Sequence, residues 1–317
     1  MNYRLLLTVT LIAALMVVSG CENKTILTKK WDRLTTGSNE NIYGIHFIDD
    51  DKGWAATWDG NVLSTKDGGK TWESHNIGEY HLEDVYFIDG DDGFVVGSDG
   101  CLFRTGDGGE TWEDQSLDDS YWLYEIGFWD DDEGVLVGVK SIDSNTLAGA
   151  LFTSKDGGIT WQEVYHDMLG ISGLYLRPNG LGWITCQGSV GSTTNGGENW
   201  EKNILDDNDI VRGAHFFSSQ TGWIVGHDGL LASTTDGGWS WQKKGQLTYE
   251  NLYSIGFTSL YEGLAVGENG EIFLTTNGGT NWLIDSNFVK STLRDVEVVE
   301  DRILICGDAG TLISVHE

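Results

Sequence analysis

Six times between residues 65 and 282 the chain repeats one eight-residue phrase: a hydroxyl residue, any residue, Asp or Asn, two glycines, any residue, then Thr, Asn or Ser, and Trp. The copies run from Thr65 to Trp72, Thr105 to Trp112, Ser154 to Trp161, Thr193 to Trp200, Thr234 to Trp241 and Thr275 to Trp282. Their closing tryptophans are 40, 49, 39, 41 and 41 residues apart. That period suits a propeller blade of four strands. Counting back 41 residues from Trp72 lands on Trp31, while Glu317 falls where a seventh copy would place its Asp. A seventh blade is therefore expected to take three strands from the C-terminal unit and its fourth from the segment at Trp31. Such a closure leaves no open sheet edge.

Each unit has the same internal order. An alternating strand such as "LYSIGF" leads through a short turn to "GLAVG", then through a glycine-containing turn to "EIFLTT", the repeated phrase and a last strand. Short period-two runs at regular spacing are the all-β signature, and no stretch of the mature chain reads as an amphipathic helix. The expected fold is all-β: a seven-bladed β-propeller of four-stranded blades over residues 31–317, its last blade closed by the N-terminal strand. Within each phrase the glycines supply positive φ, and Asp67, Asp107, Asp156, Asn195, Asp236 and Asn277 accept bonds from nearby backbone amides. These are the needs of a tight hairpin between third and fourth strands. A phosphate loop would open a helix and an EF-hand would need spaced acids with a distal Glu, and neither context is present.

Residues 1–20 read as an export signal, with Arg4 ahead of an apolar run from Leu5 to Val18 that is short for a transmembrane helix. Val18-Ser19-Gly20-Cys21 resembles the lipobox of bacterial lipoproteins, which implies cleavage before Cys21 and its acylation. The expectation is a tether over 21–30 and a propeller held at a cell-envelope membrane, facing periplasm or exterior. The net charge of −30, from which the leader removes only one basic residue, argues against nucleic-acid partners. Cys101, Cys186 and Cys306 are too widely spaced for a metal cluster or disulfide framework and are expected as buried thiols. No metal and no cofactor is expected.

The phrases look like the Asp-box, or BNR, repeats of sialidase-type propellers. The fuller unit, with "GWAA" (53–56), "GWIV" (222–225) or "GLAV" (263–266) ahead of a double-glycine box, is similar to the photosystem II stability and assembly factor family. The resemblance covers residues 31–317. It implies a propeller and a non-enzymatic assembly role toward a protein client, although this acidic chain departs from what binding through a basic patch requires.

In a propeller the first strands line a central channel, beginning at what is called here the mouth face; turns between second and third strands share that face, and the boxes lie opposite. Aligning the seven first strands on their closing residues brings Tyr43, Glu83, Tyr124, Ser172, Arg212, Tyr253 and Arg294 to one position near the mouth. Two arginines, three tyrosines and a Glu suit a peptide carboxylate or polar ligand, or else a hydrogen-bonded set between blades. Trp58 and Trp122 map to the same face as candidate anchors for protein or glycan, or as linker packing. The long third unit places one extended loop there, within 138–150. On the box face, Asp49 to Asp51, Asp89 to Asp92 and Asp130 to Glu133 form an acidic arc that could attract a cation or a basic partner, or else consists of solvated turns.

Catalysis of the sialidase kind needs three convergent arginines and a tyrosine nucleophile paired with an acid. Only Arg212 and Arg294 map to the mouth, and Arg177 falls at the far end of its strand. No Ser-His-Asp or metal constellation has a recognisable spacing. The expectation is a binding or assembly scaffold with a protein client at the mouth face; the alternative is a carbohydrate-binding or glycan-cleaving propeller.

Overall fold

The computed structural model describes residues 26, 28–143, 146–164, 166–206, 208–285 and 288–316. Its strands form seven separate four-stranded antiparallel sheets, each built from strands in consecutive order save one. In that exception Leu293–Val299, Arg302–Gly307 and Thr311–His316 are completed by Lys30–Thr35, which pairs with the last of them from Lys30↔His316 to Thr35↔Thr311. The seventh blade is thus shared between the two ends of the chain, as the repeat count requires. The expected signal peptide and Cys21 lie outside the described residues. The packed domain begins ahead of residue 31, because Ile26 is fully buried in the core cluster between the sixth and seventh blades.

The box at Thr65 to Trp72 shows how the repeated phrase works. Thr71 donates its backbone N–H to Asp67 Oδ1 (2.9 Å) and its hydroxyl to Oδ2 (2.6 Å), and Gly69 N–H donates to Thr65 Oγ1 (2.9 Å). Gly68 and Gly69 take φ of +73° and +84°, a region that side chains with a Cβ resist. Hydrogen bonds to Thr71 and Thr65 outweigh a small burial cost and hold the Asp67 carboxyl down at about 2. Trp72 donates from its indole to Gly69 and meets Phe47 edge-on at 6.0 Å.

That last contact ties the box to the channel. Three closing phenylalanines are also stacked on from the preceding blade: Trp54 on Phe87 at 3.5 Å, Trp183 on Phe216 and Trp223 on Phe257, both at 3.7 Å. The same three indoles donate to carbonyls of the boxes at Gly108, Gly237 and Gly278. Burial of such a ring stabilises by about 2–3 kcal/mol, with about 1 kcal/mol more from ring geometry. The blades are therefore locked to one another near the box face, which fixes the inner strands at the mouth. Trp129, which has no place in the repeat, does a similar job where the fourth blade carries Leu176 in place of Phe, donating to Leu181 O at 2.7 Å.

The extended third unit departs from the expected loop. Gly134–Asp143 and Thr146–Ser154 stay paired from Gly134↔Ser154 out to Asp143↔Thr146, so the insertion continues the ladder as a long hairpin on the mouth face. Cys101, Cys186 and Cys306 are buried free thiols.

Candidate functional site: the channel mouth

The inner strands do not keep strict alternation. In six of them the register shifts by one residue, between Ile42 and Gly44, Leu82 and Asp84, Leu123 and Glu125, Val211 and Gly213, Leu252 and Ser254, and Leu293 and Asp295. The residue before each shift is buried in the blade core. The bulge turns the next two residues toward the channel instead of one, the second being glycine at Gly44 and Gly213. Together with the fourth blade's Ser172, the skipped residues are the seven predicted from the strand alignment, and all seven line one cavity of about 720 Å³. Trp58 and Trp122 line it too. A cavity of this size lies in the usual range of ligand sites.

The mouth has two unlike sides. On one, aromatic rings pile up: Tyr43 stacks on Trp58 at 4.8 Å, Trp58 on His81 at 4.0 Å, and Trp122 leans toward both Trp58 (6.2 Å) and Tyr124 (6.5 Å). Glu83 sits among them and accepts from the Trp122 indole at 2.8 Å. Burial pushes its carboxyl up to about 7, against the pull of Trp122, Arg294 and Arg212. The other side carries the arginines. Arg294 donates to both carboxylate oxygens of Asp308, at 2.6 and 3.3 Å, and its guanidinium lies 3.9 Å from the Tyr43 ring centre. Arg212 donates from Nε to His227 Nε2 at 2.9 Å. Burial and the Arg212 charge lower the His227 pKa, which keeps that nitrogen an acceptor. Tyr253 donates to Glu268 at 2.9 Å.

These bonds follow a rule. The mouth residue leans on the turn after the second strand of its own blade, at Trp58, His227, Glu268 and Asp308. The alternative expectation, hydrogen bonds between blades, holds among the described residues for Glu83 with Trp122 and for Ser172, whose hydroxyl donates to Val211 O at 2.7 Å. His227, Glu268 and Asp308 escaped the sequence reading, although each follows the glycine that ends a "GWIVG", "GLAVG" or "RILICG" strand.

A second tier lies one residue deeper, and the alignment missed it because regular alternation admits one inward residue there. Asp84 accepts from Ile126 N–H (3.1 Å), Glu125 from Leu174 N–H, and Asp295 from Ile45 N–H (3.4 Å). Each carboxylate thus reaches the backbone of the next blade round the ring. Ser254 does the same by accepting from Val296 N–H at 3.2 Å. Burial, with Asp295 as a like charge, pushes Asp84 up to about 7; burial, with Glu297, pushes Asp295 up to about 6; burial holds Glu125 well above its usual value. A third tier pairs His46 with Glu297 at 3.3 Å. Burial opposes protonation of His46, but Glu297 prevails and its pKa is raised.

Arg104, Arg177 and Arg302 are engaged away from the mouth. Arg177 donates to Phe216 O, Arg104 to Asp92, and Arg302 to Ser314, Asp50 and Gly68. No third arginine joins Arg212 and Arg294 in the described cavity, so the anion clamp of a sialidase is not assembled. In the acidic turns, Asp49, Asp89 and Asp130 each accept two backbone N–H groups of their own turn. Among the described residues no group of three or more His, Cys, Asp or Glu is placed to hold a metal ion.

The sequence matches the family described as photosynthesis system II assembly factor YCF48 over residues 23–180, 79–208 and 192–289. Among solved structures, one described as YCF48 bound to D1 peptide superposes with a TM-score of 0.76 at 21% identity, covering 90% of this chain and 97% of the other. YCF48 from Cyanidioschyzon merolae gives 0.74 at 18% identity, covering 90% and 98%. Virginiamycin B lyase from Staphylococcus aureus gives 0.74 at 13% identity, covering 91% and 99%. At such identities the likeness is one of fold, which an enzyme shares. No curated protein sequence matches the chain.

Proposed function

The chain belongs to the family of the photosynthesis system II assembly factor YCF48, and from that membership we propose that it is a non-enzymatic interaction scaffold that takes a polypeptide segment of a client protein into its channel mouth. The observation that carries this reading is the two-sided cavity. Stacked rings on blades one to three offer a rigid apolar wall, while Arg212 offers a cation whose bonded neighbour is an uncharged imidazole. Aromatic and arginine anchors in a preformed pocket are the usual hot spots of protein recognition. The YCF48 structure with a D1 peptide supports a peptide as occupant of such a propeller. The photosynthetic client is not carried over to this chain.

The lipobox at Val18 to Cys21 supports a second part of the proposal: the mature protein is a lipoprotein of a bacterial cell envelope, with residues 1–20 removed and the propeller outside the cytoplasm. Capture of partners from the native host after mild cross-linking tests the reading. An Arg212→Ala, Trp122→Ala double variant is expected to lose the client by about tenfold or more, since truncating an engaged charge at an interface costs a few kcal/mol. An unchanged partner set in the double variant would overturn it.

A further inference from the structure

The course of the chain ahead of the first blade fixes which way the mouth points. Lys30 pairs with His316, the last described residue of a strand that leaves the mouth-face turn at Asp308 to Gly310, so the N-terminal strand enters from the box face. Two contacts agree with the register. Ile26 donates its backbone N–H to Glu262 at 3.2 Å, and Lys29 Nζ donates to Asp301 O at 2.5 Å. Glu262 and Asp301 lie in the turns between first and second strands of the sixth and seventh blades, on the box side. The Ile26 side chain is fully buried between those blades, which makes this a docked segment.

From this geometry we infer that the anchoring segment leaves the propeller on its box face, so that an anchor at Cys21 turns the channel mouth away from the membrane and toward clients whose bound segment lies outside the bilayer. The inference rests on the proposed lipid anchor. Ile26 lies five residue steps from Cys21, a reach of at most about 18 Å even fully extended. Blade strands of five or six residues add about 17–20 Å before the mouth is reached. The cavity then opens roughly 20–40 Å from the headgroups. A membrane-spanning helix cannot reach it without leaving the lipid, whereas a soluble domain, a terminal tail or a long extramembrane loop can. The acidic turns of blades one to three share the box face with the anchor, and that of blade one adjoins blade seven, where Arg302 donates to Asp50 O, so anionic headgroups repel this arc of the face.

The test uses the full chain made in a bacterium that processes lipoproteins, purified and reconstituted in phosphatidylcholine vesicles carrying a headgroup-linked energy acceptor. Asp59→Cys places a dye on the mouth face of blade one and Lys70→Cys places one on the box face of the same blade. Cys101, Cys186 and Cys306 are buried and leave the introduced thiol to react. Transfer to the acceptor is expected to be stronger from position 70 than from position 59, by about twofold for a height difference near one strand length. A Cys21→Ser chain is expected not to stay on the vesicles. Equal or reversed transfer would overturn the orientation, as would retention of the Cys21→Ser chain. No client enters the measurement, so its failure leaves the client-capture test standing.

Discussion

The guanidinium of Arg294 lies 3.9 Å from the centre of the Tyr43 ring, on the ring of a blade that follows it round the propeller seam. Because Tyr43 also stacks on Trp58, and Trp58 on His81, one continuous pile links the seventh, first and second blades at the mouth. Asp308 neutralises the arginine at its head. Arg294 is therefore a brace, and Arg212 is the cation left to attract a ligand.

This division of labour predicts different phenotypes. Arg294→Ala should lower unfolding free energy by about 2 kcal/mol, the range for losing charged hydrogen bonds, and leave Asp308 without its partner. Arg212→Ala should change stability much less and weaken the client more. Urea unfolding of the two variants beside cross-link capture distinguishes them; equal stability loss would refute the assignment.

Stability should rise as pH falls from about 8 toward about 5. Glu83 and Asp84, raised to about 7, and Asp295, raised to about 6, bind protons more tightly folded than unfolded, so their contribution is lost as pH climbs through those values. The raised His46 acts in the same sense. His215, lowered to about 3 by burial and Arg177, opposes them below its usual value. Below pH about 4 the trend should reverse, because Asp67, Asp107 and Asp236 are held at about 2 and lose their box bonds on protonation. Melting temperatures across this range check the curve, and Asp84→Asn, which keeps an acceptor for Ile126 N–H, should flatten its alkaline limb.

In the box, Gly69→Ala should destabilise by about 1–2 kcal/mol, the cost of a left-handed backbone for a residue with a Cβ. The added methyl would also come within 3.1 Å of Leu34. Asp67→Asn should be milder than Asp67→Ala, since Asn195 and Asn277 serve natively and accept the same backbone N–H from Asn199 and Asn281. Thermal melts of the three variants order them.

Ile26→Ala should cost about 2–4 kcal/mol if the segment stays docked, as for other buried isoleucines. Hydrogen exchange should then speed up first in Lys30–Thr35 and Thr311–His316, the two strands that close the ring. Unchanged exchange in both strands would mean that the latch does not support the closure.

The seven blades and the split last one were legible because the box repeats a backbone requirement: two positive-φ glycines and a turn acceptor cannot drift without losing the hairpin. The mouth ring was legible for the same reason, since Phe47, Phe87, Phe128, Phe216 and Phe257 mark a constant register. The deeper carboxylates at Asp84, Glu125 and Asp295 were not. A bulge that sends two successive side chains inward leaves no trace in a pattern of alternation. Nor did spacing show that Arg294 is ion-paired while Arg212 is bonded to a neutral imidazole, because Asp308 and His227 occupy equivalent turns. The docking of Ile26 was equally hidden, since Ile26 and Leu27 are two apolar residues in an otherwise polar segment with no repeat to mark them.

The central claim is tested most directly by placing a photoreactive phenylalanine analogue at Tyr253, inside the mouth, and at Lys70, on the box face, and irradiating cells of the native host. The account predicts a discrete protein adduct from position 253 that disappears with Arg212→Ala, and none of that mass from position 70. No adduct from the mouth, or the same adduct from both faces, would contradict it.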